Sequence, residues 1–315
     1  MSVYQPFAMK IHTDADSGGA IILPDILNKS STHNPEFSAD LVAHDNVPLF
    51  VAVKSQKPVI SGETFAVPTF LDNVATKGGK GILTTTNPGI VLYFKKFDDN
   101  GDVAAGSVHR SFTITGGVLV PKSMSVDHQG DLRLRWELHP LKNGSNAVII
   151  EADNAALPTV TVASARWTLG GMTIGNIALT EYTGIEIDFG NTVQSRGSQS
   201  DVYDTHIEQR THEPMITITG IDPGWFKAAS IPLGGIAAAY ATDKIYFRKR
   251  TQDGTHFVAN GTATHIKITL AGLAAIDQAF RAEAQRISET TLRIKLAKDS
   301  SGNAPMTIAT ASAIT

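Results

Sequence analysis

Apolar and polar residues alternate with a period of two through much of this chain, and that pattern predicts half-buried strands. It is clearest in "SFTITGGVLV" (111–120), "LRLRWELHP" (132–140), "GIEIDFG" (184–190), "MITITG" (215–220) and "THIKITLAG" (264–272). Clusters of Gly, Asn, Asp and Pro punctuate these runs, among them "DDNGD", "KNGSN", "GTHFVANG" and "DSSGN", and they supply the turns between strands. One stretch has another period. "GLAAIDQAFRAEAQRISE" (272–289) is rich in Ala and sets Leu273, Ile276, Phe280, Ala284 and Ile287 at helical spacing, which predicts an amphipathic helix. The pattern as a whole predicts a mainly β protein with that helix and room for one more short one.

The chain also repeats itself. "LYFKKFDDNG" (92–101) and "IYFRKRTQDG" (245–254) share an apolar residue, Tyr-Phe, a basic pair and a polar run ending in Gly, at an offset of 153 residues. Three further pairs follow the same order. "VAAG" (103–106) parallels "VANG" (258–261) at 155, "GAIILPD" (19–25) parallels "GIEIDFG" at 165, and "VPLFVAVKS" (47–55) parallels "EPMITITGI" (213–221) at 166, aligned on Pro48 and Pro214. This period is far too long for a solenoid and predicts two tandem domains of ordinary size. Their expected extents are 1–160 and 161–315, with the seam in "NAALPTVTVAS" (154–164).

With 42% hydrophobic residues in 315, the chain can build a full core. A formal charge of −3 gives no electrostatic footprint for nucleic acid. The absence of cysteine excludes disulfides, thiolate catalysis and Cys-based zinc sites. The N-terminal stretch does not read as a signal peptide, and no run approaches the ~18 apolar residues of a membrane span. Synthesis in a cytoplasm is the expectation, so the N-x-[ST] matches at Asn28, Asn143 and Asn260 count as chance.

Candidate chemistry is sparse. No G-x-S-x-G is present, and "KGGKGIL" (77–83) lacks the spacing of a phosphate-cradling loop. "HTDADSGG" (12–19) offers Asp14 and Asp16 beside His12, too few ligands for a Ca²⁺ loop, and reads as a solvated turn. "DDNGD" (98–102) reads as a hairpin turn. His206 and His212 are the one close histidine pair, and their even spacing would place both on one face of a strand. Trp136, Trp167 and Trp225 could stack on sugars, but core positions fit them better. The expectation is a protein that is not an enzyme and that holds no cofactor or metal.

Several stretches resemble a known family. They are "GVLVPKSMSVDHQGDLRLRWELHPLKNGSNAVIIEADNAALP" (117–158), "WTLGGMTIGN" (167–176), "GIEIDFGNTVQSRGSQSDVYDTHIEQRTHEPMITITGIDP" (184–223) and "IKITLAGLAA" (266–275). These are similar to major tail tube proteins of long, non-contractile-tailed bacteriophages, in the form that duplicates the tube domain within one chain. The resemblance runs from about residue 85 to the end. It implies two tandem tail-tube-like β-sandwich or barrel domains, each with at most one flanking helix. It also implies a virion protein assembled in the bacterial cytoplasm. Its partners would be itself, in trimeric pseudo-hexameric rings stacked into a tube, and other tail proteins at the tube ends. Genomic DNA would pass through the lumen without specific binding, past side chains expected to be acidic or small and polar. A distal tail or tail terminator protein is the alternative within the class, and a carbohydrate-binding β-sandwich the alternative outside it.

Each half carries a long polar segment, 25–48 in the first and 189–214 in the second. Connections of that length are uncommon in compact domains and are usually functional. In the second, Val202, Tyr203 and Ile207 form a small apolar kernel flanked by polar residues that include Ser198, Asp201 and Arg210. A few apolar anchors with a polar rim suit a segment that orders against another surface. These six residues are the candidate contacts between stacked rings.

Overall fold

In the computed structural model, the structure describes residues 3–12, 20–24, 26–41, 48–74, 82–84, 89–142, 144, 147–160, 165–175, 177–198, 201–221, 236–239, 243–251, 253–270, 273–282, 289–298, 302 and 304–315. The fold is mainly β. Strands β1 (Val3–His12) and β2 (Ala20–Pro24) form a hairpin, and β3 (Ile26–Leu41) and β4 (Pro48–Thr64) form a longer one. The helix α1 (Val67–Val74) and the short β5 (Ile82–Thr84) come next. After them run β6 (Ile90–Phe97), β7 (His109–Ile114), β8 (Gly117–Asp127), β9 (Arg133–Pro140) and β10 (Ile149–Ala155). The second half holds β11 (Trp167–Ile174), β12 (Ile177–Ala178), β13 (Tyr182–Asp188), β14 (Asn191–Arg196), β15 (His206–His212) and β16 (Met215–Gly220). It ends with β17 (Ile236–Ala239), β18 (Lys244–Lys249), β19 (His265–Leu270), β20 (Leu273–Arg281), β21 (Glu289–Ala297) and β22 (Met306–Ser312).

A ten-stranded sheet runs β17-β20-β21-β16-β13-β8-β9-β4-β3, with β5 beside β8. Two five-stranded sheets have the orders β10-β7-β6-β1-β2 and β12-β11-β18-β19-β22, and β14 and β15 pair alone. Alternation decides which face of the large sheet is covered. In β21, Leu292, Ile294 and Leu296 are buried while Arg293, Lys295 and Ala297 are exposed. Trp136 and Leu138 of β9, Ile185 and Ile187 of β13, and Ile216 and Ile218 of β16 extend the buried face. They join Met9, Ile11, Ile90, Ile245, Phe247 and Ile268 of the smaller sheets in one hydrophobic cluster. Burying each such side chain contributes roughly 1.5–3 kcal/mol, so this layered core dominates the stability of the fold.

The helix stands elsewhere than the sequence pattern predicts. Residues 273–281 form a strand, not a helix, held by β21 along its whole length and by β17 from Leu273 to Ile276. Ala274 and Ile276 are buried while Ala275, Ala279 and Arg281 are exposed, a period of two that helix-favouring alanines disguise. Pairing on both sides outweighs a propensity of a few tenths of a kcal/mol per residue. Residues 283–288, the rest of the expected helix, lie outside the described residues. The helix that does form, α1, has Val67, Phe70, Leu71 and Val74 buried at i, i+3, i+4 and i+7. Thr64 Oγ1 accepts from Ala66 N at its start (3.0 Å). At eight residues it is too short to stand out in the pattern.

Strand for strand, the order β10-β7-β6-β1-β2 matches β22-β19-β18-β11-β12, and β3-β4-β9-β8-β5 matches β13-β16-β21-β20-β17. Register irregularities match as well. A bulge interrupts β1 between Pro6 and Ala8 against β6, and β11 between Leu169 and Met172 against β18. Another separates Ala152 from Ala155 on β10, as Ala309 is separated from Ser312 on β22. Tyr93 lies opposite Ser111, and Tyr246 opposite Lys267, in corresponding central strands.

Three of the four sequence anchors need correction. Ala20–Pro24 is β2, whereas 184–188 lies in β13, and these strands do not correspond. Pro58, not Pro48, stands at the counterpart of Pro214, because Ile60 opposite Leu138 matches Ile216 opposite Ile294. The bridges Phe97–Val103 and Arg250–Phe257 align Val103 with Phe257, one residue from the expected match. Short alternating strands resemble one another too closely for residue likeness to fix register. The strand expected at 132–140 is β9, whose counterpart β21 is also a strand. Of the seam, 161–164 lies outside the described residues.

Candidate assembly surface

The halves meet strand to strand. Ser123–Asp127 of β8 pairs antiparallel with Asp188–Gly184 of β13. The ladder is prolonged by His128 N to Thr183 O (2.7 Å) and Phe189 N to Lys122 O (2.9 Å). Side chains add to it, with Asn191 Nδ2 donating to Pro121 O (2.7 Å) and Lys122 Nζ to Asn191 O (2.9 Å). Beyond the ladder, the β8–β9 turn lies over β11 and β18. Leu132 N donates to Trp167 O (2.7 Å), Thr168 Oγ1 to Gly130 O (2.8 Å), and Arg250 Nε to Asp131 Oδ1 (3.2 Å). On the β4 side, the Arg166 guanidinium stacks over the Phe65 ring at 4.8 Å.

A cleft of about 450 Å³ opens where these elements converge, lined by His128, Gln129, Glu181, Tyr182, Arg248 and Phe257 among others. Gln129 (φ 63°) and Glu181 (φ 56°) adopt left-handed backbone conformations, costly for residues with a Cβ. Burial pushes the Tyr182 phenol pKa up, and its hydroxyl donates to Gly170 O. Arg248 is stacked over the Phe257 ring at 4.4 Å. The cleft walls are thus held by contacts within the chain.

The exposed face of the ten-stranded sheet is polar and mixed in sign. One transverse row runs Arg133, Ser125, Glu186, Thr217 and Arg293 in direct register. Nearby, Arg135 Nε binds Glu63 Oε1 at 2.9 Å, and Lys122 Nζ approaches Glu137 Oε2 at 3.5 Å. His139 donates to Glu137, which with Lys122 holds that carboxyl below its usual pKa.

The candidate stacking residues belong to a hairpin that continues β13 and β16 past a kink. Gly190 (φ 59°) makes the kink, where an added Cβ would stand 2.1 Å from Glu213 O. Beyond it, β14 and β15 pair only with each other among the described strands. Val202 O accepts from Gln56 N (2.8 Å), Tyr203 bridges to Gln56, and Asp201 is ion-paired with Lys142. Ser198 Oγ lies 2.8 Å from Thr205 Oγ1, Arg210 donates to Gln194 (2.8 Å), and Ile207 is half-buried opposite Ser195. So Asp201, Val202 and Tyr203 are brought together against β4 and Lys142, while Ile207 and Arg210 lie farther along the hairpin.

Other sequence candidates resolve differently. His206 and His212 occupy opposite ends of β15, and His212 Nδ1 lies 2.9 Å from Asn191 Oδ1. No group of three His, Cys, Asp or Glu residues able to hold a metal occurs among the described residues. Trp136 is fully buried, and Trp167, 7% exposed, donates to Thr264 O, so neither offers a stacking platform. Trp225, 13–19 and 75–81 lie outside the described residues. In the "DDNGD" turn, Asp98 Oδ1 accepts from Asn100 N and Asp102 N, and Gly101 takes φ 85°. No helix among the described residues is long and apolar enough to cross a membrane.

Sequence reasoning missed a buried pair. His109 Nδ1 accepts from Lys96 N, and His265 Nδ1 accepts from Lys249 N, each at 3.0 Å in corresponding strands. The signal was two histidines offset by 156 residues, close to the 153 of the Tyr-Phe strands. The sequence matches no protein-family model, and no curated protein is significantly similar to it.

Proposed function

We propose that this chain is a virion structural protein, a major tail tube subunit of a long, non-contractile-tailed bacteriophage with its tube domain duplicated. Three chains would close a pseudo-hexameric ring, and stacked rings would form the channel through which DNA leaves the capsid. The observation that carries this reading is the ten-stranded sheet, which passes through both halves with matching strand order on either side of the β8–β13 pair. A sheet that joins like units edge to edge inside one chain can be continued by further copies, and a head-to-tail contact that closes gives a ring. The sequence resemblance supplies the particle, with other tail proteins as partners at the tube ends.

The polar face of that sheet suits a conduit. Its rows alternate basic, neutral and acidic residues in register, where the sequence reading expected acidic or small polar groups alone to line the lumen. Without a continuous basic stripe, passing DNA meets no run of phosphate contacts that would hold it. Negative-stain microscopy of the concentrated protein tests the reading. Tubes are expected. Discrete rings that never extend would point to a distal tail or terminator role, and monomers alone at high concentration would overturn the assignment.

A further inference from the structure

We propose that the cleft between the β8–β9 turn and β18 is a binding site for a small organic carboxylate with a flat apolar body. The site is independent of the tail-tube reading.

Backbone strain marks the cleft. Gln129 and Glu181 are the only non-glycine residues with positive φ among the described residues, and both line it. Such conformations persist where the surroundings over-determine them, and they gather at ligand sites. Arg250 holds one side in place, donating to Gln129 O (2.9 Å), Gly130 O (3.4 Å) and Asp131 Oδ1 (3.2 Å). At about 450 Å³ the cleft falls in the size range of small-ligand pockets.

Arg248 supplies the recognition. Arg250 is spent on the turn, whereas Arg248 Nε is buried and has no hydrogen-bond partner among the described residues. A buried donor left in that state is costly. The guanidinium carbon of Arg248 lies 4.4 Å from the centre of the Phe257 ring, which is 44% exposed. Leu169 and Leu179 add apolar lining. A guanidinium fork matches a planar carboxylate through two parallel hydrogen bonds, and the ring beside it suits a flat apolar body. Glu181 is the one acid in the lining, and it is exposed. One uncommitted cation near one acid favours a ligand of single charge, a carboxylate over the dianion of a phosphate. Gly170 leaves room for the arginine, since an added Cβ would stand 2.4 Å from Tyr246 O and 3.1 Å from Arg248 Cγ.

The duplication provides a comparison within the chain. Tyr93 and Tyr246 correspond, so Lys95 stands in the place of Arg248, and Phe97 in that of Arg250. The bridges Phe97–Val103 and Arg250–Phe257 set Val103 in the place of Phe257. A group that only holds this strand and turn should recur in both halves, as His109 and His265 do. The guanidinium and its aromatic neighbour occur in one half alone.

Benzoate is the probe, titrated into the protein and followed by calorimetry and by saturation transfer to the ligand's NMR signals. A Kd of about 1 mM is expected for so small a ligand. Arg248→Gln should weaken binding about tenfold or more, with unchanged circular dichroism. Arg248→Lys keeps the charge without the fork and should also weaken it. Phe257→Val, the residue of the other half, should weaken it severalfold, and Lys95→Gln should change nothing. Benzyl alcohol, alike in shape and uncharged, should bind at least about tenfold more weakly than benzoate. No benzoate binding up to about 20 mM overturns the proposal. So does binding that Arg248→Gln and Arg248→Lys leave undiminished, or benzyl alcohol or inorganic phosphate binding as well as benzoate. None of these outcomes depends on whether the protein forms tubes.

Discussion

His109 and His265 show how much a single side chain can carry in this fold. Each is buried, and each takes a backbone N–H that would otherwise lie unpartnered beside a bulged strand. His265→Ala is expected to cost about 2 kcal/mol or more, from the orphaned amide and the vacated ring. Urea denaturation measures it, and a change below about 0.5 kcal/mol would deny the histidine this role. Gly190 is a second such residue. Gly190→Ala combines a left-handed backbone with a collision against Glu213 O, while Gly101→Ala meets only the backbone penalty in open space. The first should lower the melting temperature by several degrees more than the second. Glu137 sets a pH dependence. Its carboxyl pKa is lowered in the fold by His139 and Lys122. The stability it contributes is therefore present above the ordinary carboxyl pKa and is lost as pH falls through the lower folded value. Glu137→Gln should flatten the acid side of a stability–pH curve, and an unaltered curve would show that the pair contributes nothing.

Elements obeyed pairing more than propensity. In β20, Ala275 is exposed on a strand paired on both sides. Ala275→Thr should be neutral or raise stability by up to about 1 kcal/mol, as β-branched residues favour a pleated surface. A loss of that size, measured by chemical denaturation, would fit a helix instead. The strands at 132–140 and 215–220 were legible because one face is buried and the other is open to water. Strand β20 was not, because Ala suits either period and its partners lie elsewhere in the chain. The joint was illegible for a related reason: edge pairing uses backbone groups, which leave no trace in side-chain pattern. The β14–β15 hairpin was visible as a long polar segment, but its ties to Gln56 and Lys142 depend on the kink at Gly190. Replacing Ser195–Asp204 with a short Gly-Ser turn removes those ties and touches no ladder of the ten-stranded sheet. The trimmed protein should fold by circular dichroism and close rings that do not extend. Normal tubes in the microscope would remove the stacking role from this hairpin.

At the scale of the whole molecule, the proposed ring contains joints of two kinds. Native mass spectrometry should show monomer, trimer and longer polymers, and a stable twofold dimer would contradict head-to-tail closure. The joint between β8 and β13 lies inside one polypeptide, is made once at folding, and never has to find its partner again. Its twin between chains must form from solution and can part again. A wall built this way would be uneven in strength around its circumference. Strained from within by a passing genome, it would part at every second seam while the covalently backed seams between them held. Substitutions that weaken the internal seam should then surface as misfolding during synthesis, and those at the external seam as tubes that fray in use.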